Sequence, residues 1–555
     1  MKTTKFIFVV GGVISGVGKG TAVSSIGLLL QRLGYKVSAV KIDPYLNVDA
    51  GTMNPTEHGE VFVTKDGLES DQDLGNYERF LDIEITRANY MTTGQVYLSV
   101  IERERNLGYK GKCVETIPHI TQEIIDRLKR AAQKTDADIL IVEVGGTVGE
   151  YQNLIFLEAG RMLHLQNPHD VLWVLVTYLP VPSKIGEMKS KPTQHAVRLL
   201  NASGIQPNII LGRSSHRIDS VRKEKISVFC NVQPDDVVSA PDVESIYDIP
   251  INFAKEKLGE KILTKLGWKY KRPKLEDWRR FVRRSHNGKK EVKIAIVGKY
   301  FGTGDFTLSD SYISVIEAIK HAAYSQSARP KISWLDAEVY EKNKKALQEL
   351  KKYDAIIVPG GFGKRGIEGK IAAIGFAREQ NIPYLGLCYG MQLAVIEFAR
   401  NVAGLKDAHT TECRPQTPEP VIDILPDQKQ KLAVKNYGGS MRLGNYRCKL
   451  LPGSHAGKAY QQASEWLFAN KGKTLIDERH RHRYELNNAY RAVLVEKGLV
   501  ISGVNPEQDL AEIIEIKNHP YFVGSQFHPE FKSHPLRPHP LFVGLMKAAL
   551  QNINS

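Results

Sequence analysis

Cys388 sits in Gly386-Leu387-Cys388-Tyr389-Gly390, with a glycine two residues away on each side. An apolar run, Ile382 to Leu387, leads into it, and a helix-patterned run, Met391 to Arg400, leads out. That is the layout of a nucleophile elbow with sulfur in place of the serine oxygen. Glycine tolerates the crowded backbone of such a strand-to-helix turn. About 140 residues later, Gln526-Phe527-His528-Pro529-Glu530 offers an imidazole base and a carboxylate to orient it. Cys388, His528 and Glu530 together predict cleavage of an acyl bond through a thioester.

A second chemistry opens the chain. Gly11-Gly12-Val13-Ile14-Ser15-Gly16-Val17-Gly18-Lys19-Gly20-Thr21 follows an apolar strand and begins a helix. Backbone N–H groups at such a turn cradle phosphates, and Lys19 can reach their oxygens. It departs from a strict Walker A loop, because its first glycine is displaced and Gly20 follows the lysine. Mg²⁺ beside phosphates needs one or two carboxylates. Candidates are Asp71 and Asp73, read here as neighbours on one face of an extended segment, and Glu143 at the carboxyl edge of a strand, where α/β ligands bind. A chain that both breaks an amide and holds a nucleoside triphosphate reads as an amide-driven synthetase.

The elements that must position these groups are α/β. Strands are expected at Lys5–Val10, Lys36–Ile42, Ile139–Val144, Val171–Leu179 and Ile209–Leu211, with a helix at Thr21–Leu33. A strand–loop–helix–strand unit implies a right-handed crossover in a parallel sheet. A second set of strands is expected at Val292–Gly298, Ala355–Val358, Tyr384–Leu387 and Tyr521–Phe527. Residues 269–290 between them hold ten Lys or Arg against two acids. They read as a basic linker with a solvated face, so the division is 1–268, 269–290 and 291–555. The expected fold is two doubly wound, mainly parallel-sheet domains.

Composition excludes other classes. Of the 555 residues, 42% are hydrophobic and 25% charged, which suits a soluble globular chain with a large core. The net charge of +15 is spread widely, with no basic stretch interleaved with aromatics, so no nucleic-acid partner is expected. Five scattered cysteines form no CxxC pair, which disfavours a disulfide framework or zinc site and fits a reducing cytoplasm. No apolar run is long enough to span a bilayer, and no membrane partner is expected. His480 and His482, spaced i, i+2 between arginines, suit substrate or domain-interface contacts better than zinc.

Nearly the whole chain resembles the CTP synthase family. The resemblance is carried by Gly11 to Gly20, Lys41 to Asp49, Glu57 to Thr64, Glu143 to Gly149, Lys189 to His195, the Cys388 elbow, Arg479 to Glu485 and Phe527 to Glu530. It implies a synthetase domain joined to a class I glutamine amidotransferase domain, converting UTP, ATP and L-glutamine to CTP, ADP, phosphate and glutamate. ATP phosphates would be held by Ser15, Gly16, Val17, Gly18, Lys19, Gly20 and Thr21, with Lys41 nearby and the adenine recognised at Asp242 and Val243. Asp73, also counted at the ATP site, and Glu143 would be the Mg²⁺ ligands. UTP or CTP would lie at Ser15, Glu150, Tyr151, Gln152, Lys189, Ser190, Lys191, Pro192, Thr193, Gln194 and Lys225, across a subunit interface. Glutamine would be held by Gly361, Tyr389, Gly390, Met391, Gln392, Glu412 and Arg483, with Gly361 and Tyr389 N–H groups forming the oxyanion hole. GTP as activator, acting partly through Gly361 to Gly366, CTP as feedback inhibitor and a homotetramer are also implied.

Three departures stand out. The family commonly has Asp-Ile-Glu where this chain has Glu150-Tyr151-Gln152, which predicts altered CTP inhibition. Tyr389 replaces a frequent leucine. The Phe301–Ser309 stretch is longer than usual and has no assigned role. Alternatives are another glutamine-dependent nucleotide synthetase such as GMP synthase, whose Ser-Gly-Gly-x-Asp-Ser loop is not found, a P-loop regulatory ATPase, which would not need Cys388, and a non-catalytic filament-forming homologue.

Overall fold

The computed structural model describes residues 4–54, 59–184, 186–299, 302–303, 306–307, 309–361, 363–424, 441–467 and 474–553. Glu57 and His58 of the family-like segment and Phe362 of the glycine-rich segment lie outside these. Within Phe301–Ser309, Gly302–Thr303 pairs antiparallel with Phe306–Thr307, and Phe301, Gly304, Asp305 and Leu308 lie outside the described residues.

The chain folds as two compact units, Met1–Asp49 with Asn76–Arg279, and Ala50–Gly75 with Arg280–Ser555. The basic stretch expected as a linker contains a helix, Glu276–His286, whose Trp278 and Phe281 are buried and whose Arg279, Arg280, Arg283 and Arg284 are exposed.

The first unit is a seven-stranded sheet. Its strands are β1 (Lys5–Gly11), β2 (Val37–Asp43), β3 (Tyr90–Thr92), β4 (Ile139–Val144), β5 (Val171–Tyr178), β6 (Ile209–Ser214) and β7 (Val237–Pro241). The order is β3-β2-β4-β1-β5-β6-β7 and every pairing is parallel. Both faces of such a sheet are covered, so its strands are continuous apolar runs. β1 and β4 are buried at every position, and Phe8 stacks on Trp173 with centroids 4.6 Å apart. Strand order reverses at β1, which makes its carboxyl end a switch point where ligands bind. The glycine-rich loop begins there and leads into α1 (Lys19–Arg32). Further along, α2 (Lys191–Ala202) and α3 (Ser220–Cys230) carry basic residues expected at the second nucleotide.

The second unit is built on a nine-stranded sheet. Its strands are β8 (Lys290–Gly298), β9 (Ala328–Asp336), β10 (Ala355–Val358), β11 (Tyr384–Leu387), β12 (Arg442–Leu450), β13 (Leu475–His482), β14 (Leu499–Asn505), β15 (Leu510–Ile516) and β16 (Phe522–Ser525). The order is β9-β8-β10-β11-β16-β15-β14-β12-β13. Pairing is parallel from β9 to β16 and antiparallel from β16 to β13. The parallel core is thus extended by a flank whose short connections, such as that from β14 to β15, can join only antiparallel strands. α4 (Tyr389–Asn401) follows β11 directly and is buried from Tyr389 to Ala399. A two-stranded hairpin, Phe62–Val63 with Glu69–Ser70, belongs to this unit although it comes from early in the chain.

Candidate active sites

The elbow is where the sequence places it, and its backbone is strained. Cys388 has φ 50° and ψ −98°, a conformation that disfavours any side chain with a Cβ. It persists because the surroundings over-determine it. Cys388 N donates to Ser525 O on the neighbouring strand at 2.7 Å. A Cβ on Gly390 would lie 2.1 Å from Val358 O, and one on Gly386 would lie 2.8 Å from the carbonyl carbon of Gly390. Both positions therefore require glycine.

Three groups converge on the buried sulfur. Cys388 Sγ donates to Arg481 O at 3.8 Å, and Gln526 Nε2 donates to Sγ at 3.7 Å. His528 Nδ1 bonds Glu530 Oε1 at 2.7 Å, and His528 N donates to Arg479 O at 2.7 Å. The imidazole also stacks on Phe531, with centroids 5.1 Å apart. Burial opposes charge on His528, but the Glu530 carboxylate first, and then its neighbour Cys388, outweigh it and raise its pKa to about 10. The ring therefore stays protonated at neutral pH beside the sulfur, ready to give a proton to a leaving nitrogen. A Cβ on Gly360 would come within 3.1 Å of His528 Cε1, so glycine there keeps the ring's approach clear. A small cavity of about 110 Å³ lies here, lined by Gly360, Gly361, Cys388, Arg481, His528 and Glu60 among others.

Around the elbow, Gln392 Nε2 donates to Tyr484 O at 2.7 Å, and Glu412 Oε1 accepts from Gly363 N at 2.9 Å. Burial raises the Glu412 pKa, against the pull of the Gly363 N–H and Lys299. Tyr389 OH and Cys413 Sγ are 3.5 Å apart, so the tyrosine beside the nucleophile reaches the segment that carries Glu412. Met391 is fully buried in the core under the elbow, and Arg483 is half-buried just beyond β13. Behind the Tyr389 ring, 5.7 Å from its centroid, is Lys370 Nζ. This lysine is fully buried and its amine makes no hydrogen bond among the described residues. Nothing in the sequence pattern marks it.

His480 and His482 are not at a ligand surface. Both are buried on β13: His480 Nε2 meets Glu512 Oε2 at 2.7 Å and His482 Nδ1 meets Tyr484 O at 3.0 Å. Arg442 completes the cluster, 2.8 Å from Glu512. Burial first, then Arg442, pushes the His482 pKa well down. The expectation of substrate or interface contacts is thus replaced by a polar network that ties β12, β13 and β15 together.

In the first unit, Gly16 and Gly18 have φ of 70° and 88°, as the tight loop requires. Lys19 Nζ donates to Gly146 O at 2.7 Å. Ser15 and Gly16 are exposed at the tip, while Val17, Lys19 and Gly20 are buried. Lys41 Nζ pairs with Glu143 Oε1 at 2.9 Å, and Tyr77 OH donates to the other oxygen of Glu143. Glu143 is therefore a buried, doubly bonded carboxyl group at the carboxyl end of β4, which fits one of the hard oxygen ligands that Mg²⁺ needs. Asp71 and Asp73, which belong to the second unit, do not lie on an extended segment. Asp73 starts the helix Asp73–Leu81, and Asp71 Oδ1 accepts from its backbone N–H at 2.8 Å. Short acids before a helix favour this local bond over extension.

A cavity of about 370 Å³ opens beside the loop, lined by Gly18, Thr21, Asp242 and Val243 together with Arg213 and Phe253. Its size suits a small-molecule ligand. Sequence reasoning misses Arg213, which bonds Val17 O at 3.1 Å and Asp242 Oδ1 at 2.7 Å. An isolated arginine two residues past an expected strand gives no signal of its own. Of the residues expected at a second nucleotide, Gln194 Nε2 donates to Ser190 Oγ at 3.1 Å, and Thr193 Oγ1 lies 3.2 Å from Thr177 Oγ1, with Pro192 in the first turn of α2. Lys189 pairs with Glu187, Lys191 lies over Phe229, and Lys225 is exposed on α3. Glu150 closes a turn by accepting from Thr147 N and Oγ1, and Tyr151 beside it is 93% exposed.

A thiol elbow for amide cleavage and a glycine-rich loop beside a small-molecule cavity, on one chain, define a glutamine-dependent ligase. The sequence matches the family models described as CTP synthase N-terminus over residues 5–268 and Glutamine amidotransferase class-I over residues 307–548. It is 51% identical to a CTP synthase of Carboxydothermus hydrogenoformans over 99% of both chains, and 50% identical to one of Caldanaerobacter subterraneus over 98% of both. A solved Trypanosoma brucei CTPS glutaminase domain with bound acivicin is 37% identical, covers 47% of this chain and 94% of its own, and has a TM-score of 0.42. The chain belongs to the CTP synthase family.

Lys370 generates a stability prediction. Burial, then Lys299, lowers its pKa from the ordinary 10.5 to about 7. Between those values the unfolded chain binds more protons than the folded one, so stability rises with pH. Lys370→Met should therefore raise the thermal midpoint most at pH 7 and below, with the gain shrinking as pH approaches 10. A gain independent of pH in thermal scans would contradict this.

Proposed function

We propose that the chain makes CTP by phosphorylating the O4 of UTP with ATP and displacing that phosphate with ammonia from glutamine. O4 is a poor leaving group until phosphorylated, and free ammonia is mostly protonated at neutral pH. Releasing NH₃ in a closed site and passing it on within the protein avoids that loss. The observation that carries this reading is the buried Cys388–His528–Glu530 set on a chain that also has a nucleotide-sized cavity at its glycine-rich loop.

In the glutaminase step, His528 takes the thiol proton of Cys388 and the sulfur attacks the amide carbon. The protonated His528, held by Glu530, gives its proton to the departing nitrogen. Gly361 and Tyr389 N–H groups stabilise the oxyanion. Gly390, Met391, Gln392, Glu412 and Arg483 shape the glutamine pocket. Water then hydrolyses the thioester to release glutamate.

In the synthetase step, the loop from Ser15 to Thr21 holds ATP phosphates, with Lys19 and Lys41 countering charge. The adenine enters the cavity at Asp242 and Val243, where Arg213 joins the set. Asp73 and Glu143 are the carboxylates for Mg²⁺, which neutralises phosphate charge. Lys189 to Gln194, Lys225, Ser15 and Glu150 to Gln152 receive UTP, and CTP as inhibitor. Exposed apolar residues on the same two helices, Leu199, Val221, Val228 and Phe229, support a subunit contact there and a homotetramer. GTP acts as activator through the Gly361 to Gly366 segment, and the cytoplasm supplies the substrates.

The test is CTP formation from UTP, ATP and Mg²⁺, with glutamine or with ammonium as nitrogen source. Cys388→Ala should abolish the glutamine reaction and spare the ammonia reaction. Loss of both in a folded variant would overturn this division of labour. Gln152 lacks the carboxylate that would accept from the cytosine amine. Gln152→Glu should therefore lower the inhibition constant for CTP, and an unchanged constant would sink that reading.

A further inference from the structure

Tyr389 stands where a leucine is frequent, and the thioester chemistry calls only on its backbone N–H. Its side chain is 2% exposed and meets two other segments. The helix Ile367–Glu379 brings Lys370 Nζ over the ring, 5.7 Å from its centroid. The phenol oxygen lies 3.5 Å from Cys413 Sγ, and either atom can donate. Sulfur is a weak donor and a weak acceptor, and the phenol can serve it in either role. A leucine has no polar atom to offer there.

Cys413 belongs to the turn that carries Glu412. Thr410 O accepts from Cys413 N at 3.2 Å and from Arg414 N at 3.0 Å, and Glu412 N donates to Thr410 Oγ1 at 3.2 Å. The start of the turn is tied to the strand Glu419–Ile424. There Thr411 N donates to Ile422 O at 3.0 Å and Thr411 Oγ1 to Asp423 Oδ1 at 2.7 Å. The Glu412 carboxylate accepts from Gly363 N, and Lys299 Nζ donates to Gly363 O at 3.3 Å. The phenol therefore bonds the turn one residue beyond Glu412 and one residue beyond the nucleophile. It joins parts of the chain that are 24 residues apart.

We propose that Tyr389, through its hydroxyl and Cys413, is a positioning residue for glutamine, fixing the Glu412 carboxylate relative to the nucleophile. The proposal rests on the reading of Glu412 as a residue that holds glutamine. A substrate gripped by one segment and attacked from another reacts well only if the two segments keep a set separation. Tyr389 follows Cys388 directly and begins α4, so its ring is fixed to the elbow. The bond to Cys413 carries that fixed position to the Glu412 turn. The bond is the same before and during the reaction, so it serves ground state and transition state alike. Its loss weakens glutamine binding and leaves the chemical step alone.

The test is steady-state glutamate release by the full chain across a range of glutamine concentrations, with UTP, ATP and Mg²⁺ held saturating. Tyr389→Phe keeps the ring and the backbone N–H and removes only the hydroxyl. It should raise KM for glutamine about three- to ten-fold, the range for one hydrogen bond, with kcat held within about two-fold. Cys413→Ala should raise KM by a similar factor, and the double variant should be no worse than the poorer single one. An unchanged KM in Tyr389→Phe, a fall in kcat at unchanged KM, or additive effects in the double variant would overturn the proposal. Glu412→Gln separates the proposal from the reading beneath it. A raised KM there but not in Tyr389→Phe would overturn the positioning role alone, whereas an unchanged KM in Glu412→Gln would overturn the assignment of Glu412 to glutamine.

Discussion

The glutaminase unit depends on one crowded turn. Cys388 is held at a positive φ where β11 meets α4, and the space for this exists only because Gly390 has no Cβ to meet Val358 O. That close approach fixes how near α4 comes to β10. It sets the direction of the first N–H groups of α4, among them the Tyr389 N–H proposed for the oxyanion. It also leaves the sulfur pointing toward the antiparallel flank of the sheet. A strained residue of this kind costs of order 1–3 kcal/mol, and the surrounding packing offsets it: Leu385 and Leu387 are fully buried, as are Leu393 to Ile396 of α4.

The flank completes what the turn begins. β13 is a strand whose backbone serves the chemistry and whose side chains serve the fold. Its Arg479 and Arg481 carbonyls hold His528 and Cys388. Its alternating side chains divide by face. His480 and His482 join the buried Glu512 and Arg442 cluster, and Arg479 and Arg481 meet the Phe62–Ser70 hairpin. Breaking a buried ion pair of this sort typically costs about 3–5 kcal/mol, because a charge is left unpaired. The arginine–histidine alternation of Arg479 to His482 is therefore a two-faced structural device.

Much of this is legible in the sequence, for reasons particular to each element. Ile139–Val144, Ala355–Val358 and Tyr384–Leu387 match the expected strands residue for residue, because short apolar runs bounded by turn residues leave little choice. α1 begins two residues earlier than expected, since Lys19 and Gly20 already turn helically after the left-handed Gly18. The Cys388 elbow and His528-Pro529-Glu530 are visible as local patterns. Long-range placements are not. Nothing near Glu69 indicates that it will meet Arg481, and Arg213 and Lys370 carry no local motif. Asp71 and Asp73 suggest an extended segment because alternation ignores a side chain that caps the next helix. The antiparallel flank of the second sheet follows from connection lengths that the apolar runs alone do not convey.

The proposed function has one central consequence: nitrogen should move from the glutamine amide to the nucleotide without leaving the protein. Glutamine labelled with ¹⁵N at the amide, supplied with UTP, ATP and Mg²⁺ in a buffer rich in unlabelled ammonium, tests this directly by mass spectrometry of the product. The expected product is CTP carrying the glutamine label almost undiluted. CTP with the isotopic composition of the solvent ammonium would contradict it.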